Sequence, residues 1–206
     1  VSFIHSFGGS EGKYPDGILE DSQGNFWGET SQGSANGAGA VFELSSGGTL
    51  ETVIPFEAGL GATGSFFIDG QGNIYGVHGS VPSPPDTTIF EIPAGSQTSQ
   101  DVITVGGSMA ELAEDGQGNL FGVIGDLDSG VAGAPATFEV QAGTRHFYDL
   151  FSNMSAYTSA FTIDGNGNFY GMNTATIYTP TGTPGVSTVT HQATDLHEIT
   201  FNQATG

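Results

Sequence analysis

The stretch Asp21-Ser22-Gln23-Gly24-Asn25-Phe26-Trp27-Gly28 occurs four times, and that recurrence confines the chain to repeat architectures. The later copies are Asp69-Gly70-Gln71-Gly72-Asn73-Ile74-Tyr75-Gly76, Asp115-Gly116-Gln117-Gly118-Asn119-Leu120-Phe121-Gly122 and Asp164-Gly165-Asn166-Gly167-Asn168-Phe169-Tyr170-Gly171, at spacings of 48, 46 and 49 residues. A fixed period of this size is the mark of solenoids, propellers and arrays, in which each repeat is one supersecondary unit.

Each copy follows an apolar run, such as Ser65-Phe66-Phe67-Ile68, and opens a second run rich in aromatic and branched residues. Asp and Asn hydrogen-bond their own backbone and tolerate left-handed geometry, and the Gly between them adopts positive φ freely. The Asp-x-x-Gly-Asn segment therefore reads as a hairpin loop between two strands. In the second strand Phe26, Ile74, Leu120 and Phe169 point one way and Trp27, Tyr75, Phe121 and Tyr170 the other, so both faces are apolar and each sheet is expected to lie between neighbours. The four aromatics on the second face read as inter-sheet core. Gly28, Gly76, Gly122 and Gly171 lack a side chain in mid-strand, which suggests close approach of another backbone.

A third element recurs as Val41-Phe42-Glu43-Leu44, Ile89-Phe90-Glu91-Ile92, Thr137-Phe138-Glu139-Val140 and a degraded Ile177-Tyr178-Thr179. A fourth is a β-prone run over 50–56, 101–105, 146–151 and 196–201. Four short strands per unit is the form of a propeller blade. The expected fold is all-β: a four-bladed β-propeller of four repeats, each of four short antiparallel strands. One domain would span 1–206, with a strand at 1–7 and blades at about 8–56, 57–105, 106–151 and 152–201. Helices are not expected, because no window has helical apolar spacing and 34 Gly with 9 Pro would interrupt one. The loop between the second and third strands varies in every unit, at 32–39, 81–86 and 126–135, and is where specificity would be encoded.

Residues 1–7 resemble the fourth element, which makes five copies of that strand against four of the others. Three arrangements absorb the remainder: the N-terminal strand completes the last blade, the last blade completes itself, or one blade carries an extra strand. A spare strand would pair with another copy by strand addition. That places Val1, Phe3, Ile4, Phe7, Leu196, Ile199 and Phe201 at a subunit contact, and head-to-tail addition builds a ring or filament.

The 22 Asp and Glu face only Lys13 and Arg145, a formal charge of −20. Nucleic acid and anionic lipid are excluded as partners, since phosphate binding depends on basic residues. Charged residues are only 12% of the chain, so the surface is mostly Ser, Thr, Asn, Gln and Gly, a composition suited to an extracellular setting. There is no Cys, and no apolar stretch reaches the roughly 20 residues of a membrane-spanning helix. The start at Val1, already a strand, fits a chain whose signal peptide has been removed.

The segment His5-Ser6-Phe7-Gly8-Gly9, then Gly17-Ile18-Leu19-Glu20-Asp21-Ser22-Gln23-Gly24-Asn25-Phe26-Trp27-Gly28 and Gly37-Ala38-Gly39-Ala40-Val41-Phe42-Glu43-Leu44, strongly resembles the GloVer tandem-repeat family of secreted bacterial surface proteins. The resemblance is close over residues 5–48 and looser over the later units. It implies an exported, propeller-like, surface-associated protein with no catalytic residues to transfer. The family's usual C-terminal anchoring tail is not seen before Gly206.

Asp21, Asp69, Asp115 and Asp164 could hold calcium, a hard cation that takes oxygen ligands. Each loop supplies only one carboxylate, however, so a structural Asx turn is the preferred reading and no metal or other cofactor is expected. Glu43, Glu91 and Glu139 share one repeat position and could form a cation site or an acid pair. Nothing singles out one of them as the acid a glycosidase needs. The five His residues show no metal spacing, and no nucleophile elbow appears. The expected function is therefore a non-enzymatic extracellular structural protein that assembles into a fibre or surface layer through a spare terminal strand. The alternative is a secreted glycan- or protein-binding module, and a glycoside hydrolase is the weakest reading.

Overall fold

The computed structural model describes residues 4–80, 86–125, 136–151, 161–163, 169–172, 177–180, 187–191 and 196–199. It is all-β with antiparallel sheets, and the one helical piece among the described residues is a 3-10 turn at Gly9–Glu11. Two compact units are present, Val1–Ser108 and Met109–Gly206.

The first unit holds two sheets in chain order. One contains β1 (Lys13–Glu20), β2 (Phe26–Gln32), β3 (Ala40–Leu44) and β4 (Leu50–Pro55). The other contains β5 (Leu60–Ile68), β6 (Ile74–Ser80), β7 (Asp86–Ile92) and β8 (Gln100–Gly106). In the second unit, β9 (Ser108–Glu114), β10 (Leu120–Gly125), β11 (Ala136–Val140) and β12 (Phe147–Phe151) form a third four-stranded sheet. The remaining strands are β13 (Phe161–Ile163), β14 (Phe169–Met172), β15 (Ile177–Pro180), β16 (Ser187–His191) and β17 (Leu196–Ile199).

The Asp loops close the first hairpin of each complete sheet as expected. Gly24, Gly72 and Gly118 adopt φ of 83°, 87° and 86°, the left-handed region that only Gly enters without strain. The backbone N–H of Asp21 donates to Asn25 O at 2.9 Å, and Asp69 and Asp115 repeat this at 2.9 and 3.0 Å. The second and third strands then pair in one shared register. Gly28 faces Phe42, Gly76 faces Phe90 and Gly122 faces Phe138.

That register explains the mid-strand glycines. A Cβ at Gly28, Gly76 or Gly122 would meet the ring tip of the facing Phe inside van der Waals contact. The neighbour expected there was backbone; the nearest group in all three is instead an aromatic ring, with Gly17 O at 2.7 Å and Glu111 O at 3.0 Å adding to the crowding at Gly28 and Gly122. The rings lie across the glycines and reach the centre of each sheet, where Phe42, Phe90 and Phe138 are at most 1% exposed. In the first unit the core runs from Trp27, Val41, Ile54 and Phe56 to Ile74, Phe90 and Ile92. The inter-sheet role expected for Trp27 is realised there.

The last repeat departs from expectation. β14 pairs with β17, so that Phe169 faces Ile199, Tyr170 faces Glu198 and Gly171 faces His197. Leu196-His197-Glu198-Ile199 thus occupies the place of Val41-Phe42-Glu43-Leu44, and it is a third strand, not a fourth. Ile177-Tyr178-Thr179 belongs to a separate hairpin of β15 with β16. The sequence count of five fourth strands is therefore corrected to three among the described residues, β4, β8 and β12, because Leu196–Ile199 takes the third place and residues 4–7, expected as part of a strand, pair into none of the sheets. Ile4, 63% exposed, lies against Gly48, and the Phe7 ring sits 4.4 Å from that of Phe42 in its own unit. Leu196 faces Met172 across the ladder. Val1, Phe3, Phe201, Asp164 and the loop 126–135 lie outside the described residues.

Candidate functional site

In the first unit a cavity of about 200 Å³ opens between the two sheets. Its floor is apolar, built from Ile68, Ile74 and Ile92 of the second sheet with Trp27 of the first. Its walls are polar: Asp21, Gln23, Glu43 and Thr52 from one sheet, Gln71, Ser96 and Gln97 from the other. Neither Lys nor Arg lines it. The site is a product of the repeat: one repeat lines it with residues 21–23 of its first loop, and the next with Gln71 and Gly72 of its first loop and the turn at 93–97.

The carboxylates in the wall are tied down. Asp21 Oδ1 accepts backbone N–H groups of Gln23 at 2.8 Å and Asn25 at 2.9 Å, while Oδ2 accepts Asn25 Nδ2 and Trp27 Nε1, both at 3.2 Å. Asn25 Nδ2 also reaches Glu43 Oε1 at 3.3 Å, and Thr52 Oγ1 donates to Glu43 Oε2 at 2.8 Å. Burial pushes the Asp21 carboxyl up, but its four donors outweigh that and hold it below the ordinary carboxylate range. One amide bridging two carboxylates offsets part of their repulsion.

The other loops repeat the Asx turn with different surroundings. Asp69 accepts Gln71 N at 2.8 Å, Asn73 N at 2.8 Å and Asn73 Nδ2 at 2.7 Å. Asp115 accepts Gln117 N, Asn119 N and Asn119 Nδ2 at 2.8, 3.0 and 2.8 Å. Asn73 Oδ1 and Asn119 Oδ1 then accept the N–H of Ala94 and of Ala142, pinning each loop to the turn after the third strand. Asp21, Asp69 and Asp115 thus give their oxygens to N–H donors, and no group of three or more His, Asp or Glu suited to a metal occurs among the described residues. Tyr75 and Phe121 stand where Trp27 does, so the indole N–H bond to the loop carboxylate is particular to the first repeat.

The repeated glutamates do not share one environment. Glu43 is in the cavity wall, Glu91 accepts Gln100 Nε2 at 3.0 Å, and Glu139 is raised above the ordinary range by burial and then by the nearby Asp115 charge. Glu198, not Thr179, is the fourth member of this set. The variable loop at 32–39 is anchored by Asn36 Nδ2 to Phe56 O at 2.9 Å. The cavity itself was not legible in the sequence. Its lining comes from segments of two repeats whose conjunction depends on how the sheets pack.

No known protein family and no curated protein sequence matches the chain. Solved structures do. The chain is similar to a gluconolactonase of Xanthomonas campestris described as important in glucose secondary metabolic pathways, with a TM-score of 0.54 at 12% identity over 80% of this chain and 57% of that one. It is similar also to TolB of Acinetobacter baumannii, with a TM-score of 0.53 at 14% identity over 89% of this chain and 43% of that one. A protein of unknown function from Dyadobacter fermentans gives 0.52 at 12% identity, over 93% and 65%. The chain therefore spans about two fifths to two thirds of the length of these structures. At such identities the likeness is one of fold, and it makes this chain propeller-like and antiparallel all-β.

Proposed function

We propose that this chain is an exported, non-enzymatic binding module, its four repeats forming four propeller blades, and that the cavity between its first two sheets holds one ring of a neutral glycan. The observation that carries the reading is the cavity's division into an apolar floor and a wall of amides, hydroxyls and hydrogen-bonded carboxylates. A sugar ring presents a matching C–H face and a rim of hydroxyls that both donate and accept. With about 200 Å³ the cavity falls below the roughly 300 Å³ at which drug-sized sites begin, so it suits a single ring at the end or side of a longer chain. Anionic ligands are disfavoured by Asp21, Glu43 and a net charge of −20. Binding is the reading adopted because the Asp21 and Glu43 oxygens in the wall are engaged by N–H and O–H donors of the same sheet, which fixes both side chains as part of a rigid polar rim.

The test is a neutral oligosaccharide array followed by calorimetry on the hits. Gln71→Ala and Ser96→Ala, which remove wall groups outside the Asp21–Glu43 network, should each weaken binding about tenfold, the equivalent of one lost hydrogen bond. Chelators should leave the affinity unchanged. Absence of any neutral glycan ligand, or a hit indifferent to both substitutions, overturns the proposal.

A further inference from the structure

We infer that two copies of this chain associate through the edge of β16 that no described strand pairs, forming a closed two-fold dimer. Residues 165–194 are thirty consecutive positions without Asp, Glu, Lys or Arg, whereas the next longest such run, 70–85, has sixteen. The hairpin of β15 and β16 lies inside this stretch and is hydrogen-bonded to no other described strand. A lone two-stranded hairpin is marginal in water, and sheets of three or more strands are needed for independent stability. Natural edges are blocked by charge or Pro. Ser187-Thr188-Val189-Thr190-His191 carries neither, and its three central residues are β-branched, the composition that favours strand-to-strand pairing.

Charge selects the partner. Two chains of −20 repel over most of their surfaces, and the charge-free hairpin is where a second copy approaches at least cost. β15 ends in Pro180, so β16 is the better edge. Antiparallel pairing of β16 with its own copy yields a four-stranded sheet in the order β15-β16-β16-β15. Because the same edge is used on both sides, the contact is isologous and stops at two.

Light scattering after size exclusion should give a dimer mass across a concentration series, strengthened by added salt, because screening relieves like-charge repulsion. Val189→Lys places a blocking charge on the edge and should halve the mass. Deletion of residues 1–7 should leave the dimer intact. Since the chain has no Cys, any disulfide in a single-Cys variant is intermolecular. A scan of Ser187→Cys, Thr188→Cys, Val189→Cys, Thr190→Cys and His191→Cys should cross-link strongly at the position on the two-fold axis, and it decides the matter should Val189→Lys fail to fold. A wild-type monomer at every concentration, or a dimer that no β16 cysteine cross-links, overturns the inference.

Discussion

Gly76→Ala isolates the contact that sets the spacing of β6 and β7. An added Cβ would lie 2.7 Å from Phe90 Cε1, 3.1 Å from Cε2 and closer still to Cζ. The ring cannot swing clear: it is 1% exposed, with Phe56 at 5.8 Å and His78 stacked at 5.7 Å. Overpacking of this kind costs about 1–3 kcal/mol. Against it, replacing Gly by Ala in a strand returns about 0.5–1 kcal/mol of backbone entropy. The net loss is about 1 kcal/mol, a fall in Tm of about 5 °C for a unit of this size. Calorimetry and urea unfolding read it. A cycle with Phe90→Leu, which withdraws the ring tip, should recover at least about 0.5 kcal/mol relative to the sum of the single changes. The reasoning fails if Gly76→Ala stabilises the protein or if the two substitutions simply add.

Further expectations concern charge and loops. His78 is 7% exposed and its Nδ1 has no hydrogen-bond partner, while Nε2 lies 3.6 Å from the mostly exposed Asp101. Burial lowers its pKa, opposed by the charges of Asp101 and Glu57, so the unfolded chain takes the proton first. Stability should be full above pH 6.5 and fall as pH drops below that value, until the folded ring itself protonates; His78→Phe should flatten this slope in urea titrations. Trp27→Phe removes one donor from Asp21 and should raise its pKa, as followed by NMR titration of the carboxyl carbon. Asp69→Ala removes three hydrogen bonds from its loop and should cost about 2 kcal/mol in equilibrium unfolding. Calcium and chelator should shift the Tm of the wild type by the same amount, namely none, because the loop carboxylates of the described repeats are already occupied by N–H donors.

The first three repeats were readable because their signals are local. Asp and Asn fix the loop, Gly admits the left-handed turn, and a Phe-Glu pair marks the next strand. The last repeat misled because Ile177-Tyr178-Thr179 is the first β-branched and aromatic run after Tyr170-Gly171, although it begins 13 residues after Asp164 where the earlier third strands begin 20 to 22 after their Asp. Leu196-His197-Glu198-Ile199 is displaced by an insertion but keeps the Glu directly before an aliphatic residue and the aliphatic residue two places ahead of it. Weighting residue pattern above spacing would have found it. The purpose of the mid-strand glycines escaped because it depends on cross-strand register, as does the identity of the facing ring. The burial of His78 escaped for a similar reason: its neighbours Phe56 and Phe90 come from other strands and an inter-sheet linker.

The ring-over-glycine contact joins β2 to β3, β6 to β7 and β10 to β11, always within one repeat. A duplication that copies such a segment carries both halves of the fit into the daughter, so lineages can lengthen or shorten the array without inventing new complementarity. Divergence then begins when one half drifts alone: in the last repeat the Gly persists at 171, and the residue paired with it in the register that holds Phe elsewhere is His197.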